Sequence, residues 1–376
     1  MNVLVVSGIW PPDVGGPASH APDVARFLHA RGHRVEVVVT APAEPAEEQF
    51  PVYWTRRALP VGIRHVHALA LVWRRARQAD VVYSTGMFGR SGIAAALARR
   101  PLVIKLTGDP AFERLRARGA VDGDVDSFQE RSGGITARGL RQLRDSVLRR
   151  AAHVFTPSGY LRDLVITWGV TPDQVSVMPN PAPFGKPSAT RPELRRRFAL
   201  DGPTLAFAGR LTAQKSLDVM LAAVAANPGV ELVVAGDGEE RDALLEGIAR
   251  RGLGGRVRSL GPLPRAEVLD LFAAADASVL SSSWENFPHS VVESLAVGTP
   301  VIATRVGGVA EVIEDGVNGL LVPAGDVDAL AAAVSRFFAD EGLRTRLRAS
   351  ASASVEGYSA ERLLTTLERR LEETCR

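Results

Sequence analysis

The sequence predicts two α/β domains, each built on a doubly wound parallel sheet, that face a central cleft. Its 376 residues suit two domains of roughly 150 residues each. Short β-branched runs alternate with helical patterns along the chain, and parallel strands need such crossover helices. A proline-rich stretch at residues 179–187 interrupts the alternation, which then begins again.

The first domain is predicted over residues 1–180. Its first strand, residues 3–7, ends at Gly8, and a helical pattern with Val24, Ala25 and Leu28 on one face stops at Gly32. With a second strand at 35–40, these elements form a βαβ unit. Further strands are predicted at residues 81–84, 102–106, 154–156 and 175–178, and an arginine-rich helix at 135–150.

A linker at 181–200 precedes the second domain, which is predicted over residues 201–357. Strands are predicted at residues 204–208, 230–235, 257–260, 277–280, 300–304 and 319–322, and helices at 216–226, 242–251, 267–274, 289–297 and 328–338. A C-terminal helix at 358–376 carries an apolar stripe of Leu363, Leu364, Leu367 and Leu371. This helix either crosses back to the first domain or packs on the second.

Composition restricts the environment and the partners. The single cysteine, Cys375, excludes a disulfide framework and a cysteine-rich zinc site and favours a reducing compartment. No apolar run approaches the roughly 18 residues of a membrane span, and no basic leader precedes the first strand. We therefore expect a cytoplasmic protein.

The first 180 residues contain more basic than acidic side chains, and the remainder shows the reverse. The basic amphipathic helix at 135–150 either packs on the first sheet as a solvated helix or contacts the acidic inner face of a membrane. The same charge would attract an anionic lipid-phosphate acceptor. Nucleic acid is not expected as a partner, because aromatic residues are only 6% of the chain and none interleave with the arginines.

Two glutamates, Glu285 and Glu293, flank a predicted loop–helix junction. Pro288 suits the first turn of that helix. The turn leaves three amides as donors to a phosphate, those of Ser290, Val291 and Val292. Carboxylates beside an anion site make sense when they accept hydrogen bonds from sugar and ribose hydroxyls. Alternatively, Glu293 complements the helix dipole and Glu285 is a solvated loop residue.

The first strand–helix turn of the second domain contains Gly209, Arg210 and Lys215. Glycine lets the backbone approach a ligand, while an arginine grips a diphosphate with two bonds and a lysine adds a point charge. Gly15 and Gly16 form a weaker signal of the same kind in the first domain. No dinucleotide fingerprint follows either first strand, which argues against an NAD-linked oxidoreductase.

Together these motifs resemble family 4 of the retaining glycosyltransferases, whose GT-B fold has two Rossmann-like domains. The resemblance covers nearly the whole chain. It rests on Gly15-Gly16, residues 178–181, 209–215 and 235–238, the two spaced glutamates, and residues 307–319.

The resemblance implies a metal-independent, cofactor-free transfer of a hexose-type sugar from a nucleotide-diphosphate sugar to a hydroxyl of a glycan, a lipid-linked acceptor or a small molecule. It places Arg210 and Lys215 on the diphosphate, Glu285 on the sugar and Glu293 on the ribose. Gly209, Gly236 and Leu263 would lie near the nucleotide. The loop backbone would face the sugar and phosphate at Asn286, Phe287, Pro288, His289, Ser290, Val291 and Val292.

One departure from the family pattern concerns Asp109, which stands near a position where the family often has a histidine. Asp109 either acts catalytically beside the sugar, with Arg210, Lys215 and Glu285, or is a turn residue before Pro110. Two other functions stay open on the same fold. One is a nucleotide-sugar epimerase, and the other is a subunit that binds a nucleotide sugar without turnover.

Overall fold

The computed structural model describes residues 1–13, 16–121, 125–130, 134–181 and 186–376. The chain divides into two compact units, the first of Met1–Pro179 with Glu361–Arg376 and the second of Asn180–Ala360. Each unit contains one sheet of parallel strands joined by helices. The predicted class, two Rossmann-like domains with doubly wound parallel sheets, is confirmed.

The sheet of the first unit has seven strands in the order β3-β2-β1-β4-β5-β6-β7. They are β1 (Asn2–Ser7), β2 (Arg34–Ala41), β3 (Val52–Arg56), β4 (Val81–Ser84), β5 (Leu102–Lys105), β6 (His153–Thr156) and β7 (Val175–Val177). Val5 and Val6 belong to the apolar clusters on opposite faces of the sheet, and both are fully buried. Helices therefore cover both faces, as an all-parallel sheet requires.

Before β7 the described residues of the first unit form seven α-helices, three of them between β5 and β6. They are α1 (Gly16–Ala30), α2 (Val61–Ala76), α3 (Phe88–Ala98), α4 (Pro110–Arg116), α5 (Val125–Glu130), α6 (Ile135–Arg150) and α7 (Gly159–Thr167). The predicted arginine-rich helix at 135–150 has the bounds of α6. Strand β3 and helices α2, α3, α4, α5 and α7 were not predicted. Edge strand β3 is short and mostly half-buried, so its sequence lacks the continuous apolar run of a central strand.

The sheet of the second unit has six strands in the order β10-β9-β8-β11-β12-β13. They are β8 (Thr204–Ala208), β9 (Glu231–Ala235), β10 (Val257–Gly261), β11 (Ala277–Leu280), β12 (Val301–Thr304) and β13 (Gly319–Val322). The helices are α8 (Arg191–Arg197), α9 (Leu217–Ala225), α10 (Arg241–Arg250), α11 (Arg265–Ala274), α12 (His289–Ala296), α13 (Val309–Val312), α14 (Val327–Ala339) and α15 (Glu341–Ala351).

The last helix, α16 (Ala360–Cys375), belongs to the first unit. Its predicted apolar stripe packs into one core of that unit. The buried members are Leu363, Leu364, Leu367 and Leu371. The chain therefore returns to its first unit after completing the second.

The stretch predicted as a linker, 181–200, contains helix α8 and so is not irregular throughout. Thr190 and Glu193 form a capping box at the start of α8, with the Glu193 carboxylate accepting from the Thr190 amide at 2.9 Å. Leu194 is buried against Leu271 and Phe272 of α11. The prolines that suggested a linker lie in residues 179–187, whereas Pro192 lies in the first turn of α8, where proline is tolerated.

A buried lysine gives the first unit a predicted pH dependence. Lys105 of β5 is 1% exposed and donates to the carbonyl of Met178, and burial lowers its pKa to about 7. Between about pH 7 and 10 the unfolded chain binds a proton that the folded chain does not, so stability should rise with pH. We expect Lys105→Met to remove up to about 4 kcal/mol of this rise in the free energy of unfolding.

Denaturant unfolding at several pH values tests this prediction. Lys186→Met is the matched control, because Lys186 is exposed. Equal pH dependence in the wild type and in the Lys105→Met variant would contradict the assignment.

Candidate active site

The strand order of the second sheet reverses between β8 and β11, which pair in parallel. The loop after β8 begins at Gly209, and the loop after β11 begins at Ser281. Because both strands end at the same edge, the two loops leave the sheet side by side. Topology thus brings together the two sequence motifs that predict the donor site.

Lys215 and Glu285 meet at this point. The Lys215 Nζ donates to Glu285 Oε1 in an ion pair that joins residues 70 positions apart. The Ser282 hydroxyl donates to the same oxygen at 2.7 Å. Glu285 is only 6% exposed, and its Oε2 has no hydrogen-bond partner in the described part of the chain. The pair presents one open carboxylate oxygen beside an ammonium group that has further N–H donors.

Backbone and side-chain hydrogen bonds hold the two loops together. The amide of Ser283 donates to the carbonyl of Gln214 at 2.8 Å, and Gln214 Nε2 donates to the carbonyl of Trp284 at 2.5 Å. Ser281 Oγ donates to the carbonyl of Lys215 at 2.7 Å. The loop after β12 joins them, because the amide of Gly308 donates to the carbonyl of Glu285 at 3.1 Å. These bonds fix the position of the Lys215–Glu285 pair.

Gly236 allows the loop after β9 to lie directly against Gly209. A Cβ atom on Gly236 would lie 1.9 Å from the Gly209 carbonyl oxygen, and the Gly236 φ of +149° favours glycine. The amide of Gly236 donates to the carbonyl of Gly261 at 2.8 Å. Packing against Gly209 is therefore sufficient by itself to require a glycine at position 236.

Arg210 follows Gly209 and is exposed. Within the described residues its guanidinium has no hydrogen-bond or ion-pair partner. An unpaired guanidinium in the same loop as Lys215 is available for an anion.

Helix α12 begins at His289, the start that the sequence predicts. Pro288 is its N-cap rather than a first-turn residue, and its carbonyl accepts from the amides of Val291 and Val292 at 3.1 and 3.2 Å. The prediction that these two amides are free was therefore wrong. The Ser290 amide donates to no acceptor among the described residues.

Other predicted donor residues have packing roles around this turn. Phe287 is buried beside Val291 and Val292, its ring lying 6.0 Å from that of Tyr358. His289 is exposed, and its Nε2 lies 3.1 Å from Asn180 Nδ2. Asn286, between Glu285 and Phe287, is half-buried.

Two family sequence models match the chain. The model of glycosyl transferases group 1 matches residues 190–353, which contain the Lys215–Glu285 pair. The model of the glycosyl transferase 4-like domain matches residues 15–181. The chain belongs to the group 1 glycosyltransferases.

Relatives of this glycosyltransferase include LpsE of Rhizobium meliloti, a lipopolysaccharide core biosynthesis glycosyltransferase. LpsE is 38% identical over 165 residues, or 44% of this chain, and the match spans about half of LpsE (48%). Glycogen synthase of Mycobacterium tuberculosis is 27% identical over 377 residues, with 94% of this chain and 89% of that protein covered. The solved structure of Anabaena HepE in complex with UDP shares the fold, with a TM-score of 0.81, 23% identity, and coverage of 99% of this chain and 100% of that chain.

Glu293, the predicted ribose ligand of this glycosyltransferase, lies on α12. Burial raises the pKa of Glu293, and the Arg265 guanidinium opposes the rise; Arg265 Nε donates to Glu293 Oε1 at 3.2 Å. Leu263, predicted near the base, is half-buried against a core cluster. Sequence reasoning missed Arg265, because no motif marks a residue 28 positions away as a partner.

Asp109, a predicted catalytic residue in the first unit, caps helix α4. Its carboxylate accepts from the Ala111 amide at 2.8 Å, Gln129 Nε2 at 3.0 Å and Arg144 Nη1 at 2.5 Å. The residue is 1% exposed. A sugar hydroxyl would have to displace one of these partners, so the geometry favours the turn role that Asp-Pro allows. Of the two glycines predicted to bind the donor in the first domain, Gly15 lies outside the described residues and Gly16 is the first residue of α1.

One group of side chains in the described part of this glycosyltransferase has the spacing of a metal site: His33, Glu368 and Glu372. Glu368 already accepts from His33 Nε2 at 2.8 Å and pairs with Arg31 at 3.3 Å, so its charge is balanced within the protein. Neither Lys215 nor Glu285 belongs to this group. None of the described helices has the length and hydrophobicity of a membrane-spanning segment.

Proposed function

We propose that this glycosyltransferase moves a hexose-type sugar from a nucleotide-diphosphate sugar to an acceptor hydroxyl, with retention of anomeric configuration and without a metal ion. The observation that carries the proposal is the Lys215–Glu285 ion pair, which lies where the strand order of the second sheet reverses. Arg210 belongs to the same loop as Lys215 and has no partner among the described residues. The presence of UDP in the HepE structure makes uridine donors the first to test.

In the proposed reaction, the bond between the anomeric carbon and the diphosphate oxygen breaks while the acceptor oxygen attacks that carbon from the same face. The acceptor proton passes to the departing phosphate, so no protein base is needed. The leaving diphosphate gains one further unit of negative charge as the bond breaks, and fixed cations stabilise such charge in place of a metal. Arg210 and Lys215 would supply this stabilisation.

Glu285 would orient the sugar. Its Oε1 is held by Lys215 and Ser282, which leaves Oε2 to accept from a sugar hydroxyl. Lys215 can keep this bond and still donate to a phosphate oxygen, because an ammonium has three donors. Glu293 would accept from the ribose. We also propose a cytoplasmic location. The proposed acceptor is a glycan, a lipid-linked sugar or a small molecule, each of which supplies the required hydroxyl.

A donor screen followed by a transfer assay tests the function. We expect one nucleotide sugar to raise the melting temperature by several degrees, because a ligand that binds only the folded chain stabilises it. Its sugar should be transferred only when an acceptor is added, EDTA should leave the rate unchanged, and NMR of the product should show the donor's anomeric configuration. Donor conversion without acceptor would instead indicate an epimerase, and binding without conversion a non-catalytic subunit.

A further inference from the structure

The first unit contains a cavity of about 750 Å³ that the proposed donor site does not use. Its floor is formed by residues that follow three neighbouring strands: Gly8 after β1, Thr85 after β4 and Thr107 after β5. Ligands of parallel α/β sheets bind beyond the carboxyl ends of the strands. The volume lies within the range of small-molecule sites, which is about 300–1,000 Å³.

The polar lining of the cavity is cationic. Arg90, Arg114 and Arg118 line it, and none of the ion pairs among the described residues includes any of them. Arg90 Nη1 donates to His65 Nδ1 at 3.0 Å. Burial and the like charges of Arg114 and Arg64 lower the pKa of Arg90. The guanidinium groups therefore repel one another, and an anion among them would relieve this repulsion.

The carboxylates of the cavity do not cancel this charge. Asp109, next to the lining residue Pro110, is paired with Arg144, which lines the cavity. Glu113 lines the cavity, and burial and the Asp109 charge raise the pKa of its carboxyl to about 7. Glu113 thus carries only part of a charge at neutral pH, and the net charge of the lining is positive.

The two helices that carry Arg90 and Arg144 also give the cavity an apolar wall. This α3–α6 wall is formed by Phe88 and Ile93 of α3 and by Leu140, Leu143 and Val147 of α6. Ile93 is 47% exposed and Leu143 is 44% exposed, although both line a concave surface. Of the eleven large apolar side chains exposed among the described residues, seven lie on α2, α3 and α6. Such a surface favours contact with an alkyl chain.

We propose that this cavity binds the acceptor, and that the acceptor carries a phosphate group next to an apolar chain. The inference rests on the proposed function, because it supplies the second substrate of the transfer. Guanidinium groups bind phosphate oxygens through paired, charge-assisted hydrogen bonds, and the α3–α6 wall would cover the chain. A neutral glycan would supply no anion to Arg90, Arg114 and Arg118 and no alkyl chain to the apolar wall.

Calorimetric titration of the full chain with octyl phosphate, methyl phosphate and 1-octanol, without any donor, tests the proposal. We expect octyl phosphate to bind at least about tenfold more tightly than either single-feature probe. Arg114→Gln should weaken octyl phosphate binding about tenfold or more, since charge-assisted hydrogen bonds are lost, and Arg114→Lys should weaken it less. Arg138→Gln removes the same charge from an exposed position of α6 outside the cavity and should have little effect.

The apolar wall has its own variant. Leu143→Asn should reduce octyl phosphate binding to the level of methyl phosphate and leave methyl phosphate binding unchanged. Equal binding of octyl and methyl phosphate by the wild type would overturn the proposal, because the cavity would then recognise a phosphate group without an apolar chain. Equal binding of octyl phosphate and octanol, or equal losses in Arg114→Gln and Arg138→Gln, would overturn it altogether. Nucleotide-sugar binding should be unchanged in Arg114→Gln, so failure here is distinguishable from failure of the donor assignment.

Discussion

Replacing Glu285 with glutamine should lower sugar transfer by at least about 100-fold, the scale on which loss of one preorganised polar group reduces turnover. Glutamine keeps the shape of the side chain and one carbonyl oxygen. It loses the charge that the Lys215 ammonium and the Ser282 hydroxyl now hold in place. The amide would therefore be oriented by different bonds, and a sugar hydroxyl would lose a charged acceptor.

Binding of the nucleoside diphosphate should respond differently from turnover. In the Glu285→Gln variant Lys215 loses its anionic partner, so its charge is free for the diphosphate, and the dissociation constant should stay the same or fall. Lys215→Ala should instead weaken diphosphate binding and also lower the rate. Single-turnover kinetics and calorimetry with the same nucleotide separate these effects.

Ser283→Ala is the control for the Glu285 prediction. Ser283 is exposed and uses its hydroxyl only for a 3.2 Å bond to the Gln214 carbonyl. This variant should keep nearly normal activity. If Glu285→Gln retained half of the wild-type rate while binding the donor normally, the carboxylate would not act on the sugar.

Sequence alone could predict most strands, because their signal is local. The run in β8, for example, is apolar and ends at a glycine, so its position needs no knowledge of its neighbours. Helix α8 was missed because a capping box and one buried leucine distinguish it from a linker. Which strands pair is not a local property, and the sequence does not state that β8 lies beside β11.

In the candidate site, too, local sequence predicts the residues, whereas their contacts depend on how distant segments pack. Lys215 and Glu285 could each be predicted from the loop that follows a strand, yet their ion pair depends on the strand order. The partners of Asp109 and Glu293, Arg144 and Arg265, come from helices 35 and 28 residues away, and no spacing rule connects them. The start of α12 was predicted correctly, but Pro288 is its N-cap rather than a first-turn residue, and the Pro288 carbonyl accepts from two amides that were predicted to be free.

The second large effect is expected from Gly236→Ala. The new methyl group would lie 1.9 Å from the Gly209 carbonyl oxygen, which is backbone and cannot rotate away, and the φ of +149° disfavours any side chain. Strain of this kind and the displacement of the loop after β8 should together lower the free energy of unfolding of the second unit by about 3 kcal/mol or more. Denaturant unfolding should show the loss in one transition, with the transition of the first unit unchanged.

Gly255→Ala is the control for the Gly236 prediction. A Cβ atom on Gly255 would meet no atom within 4 Å, so its stability should change by no more than about 0.5 kcal/mol. If Gly236→Ala proved equally neutral, the close contact with Gly209 would not exist in solution. If the variant instead folds at low temperature but binds nucleotide weakly, the loss follows from displacement of Arg210 with its loop. Gly236 would then act on the donor through the packing of Gly209, without having to touch the base.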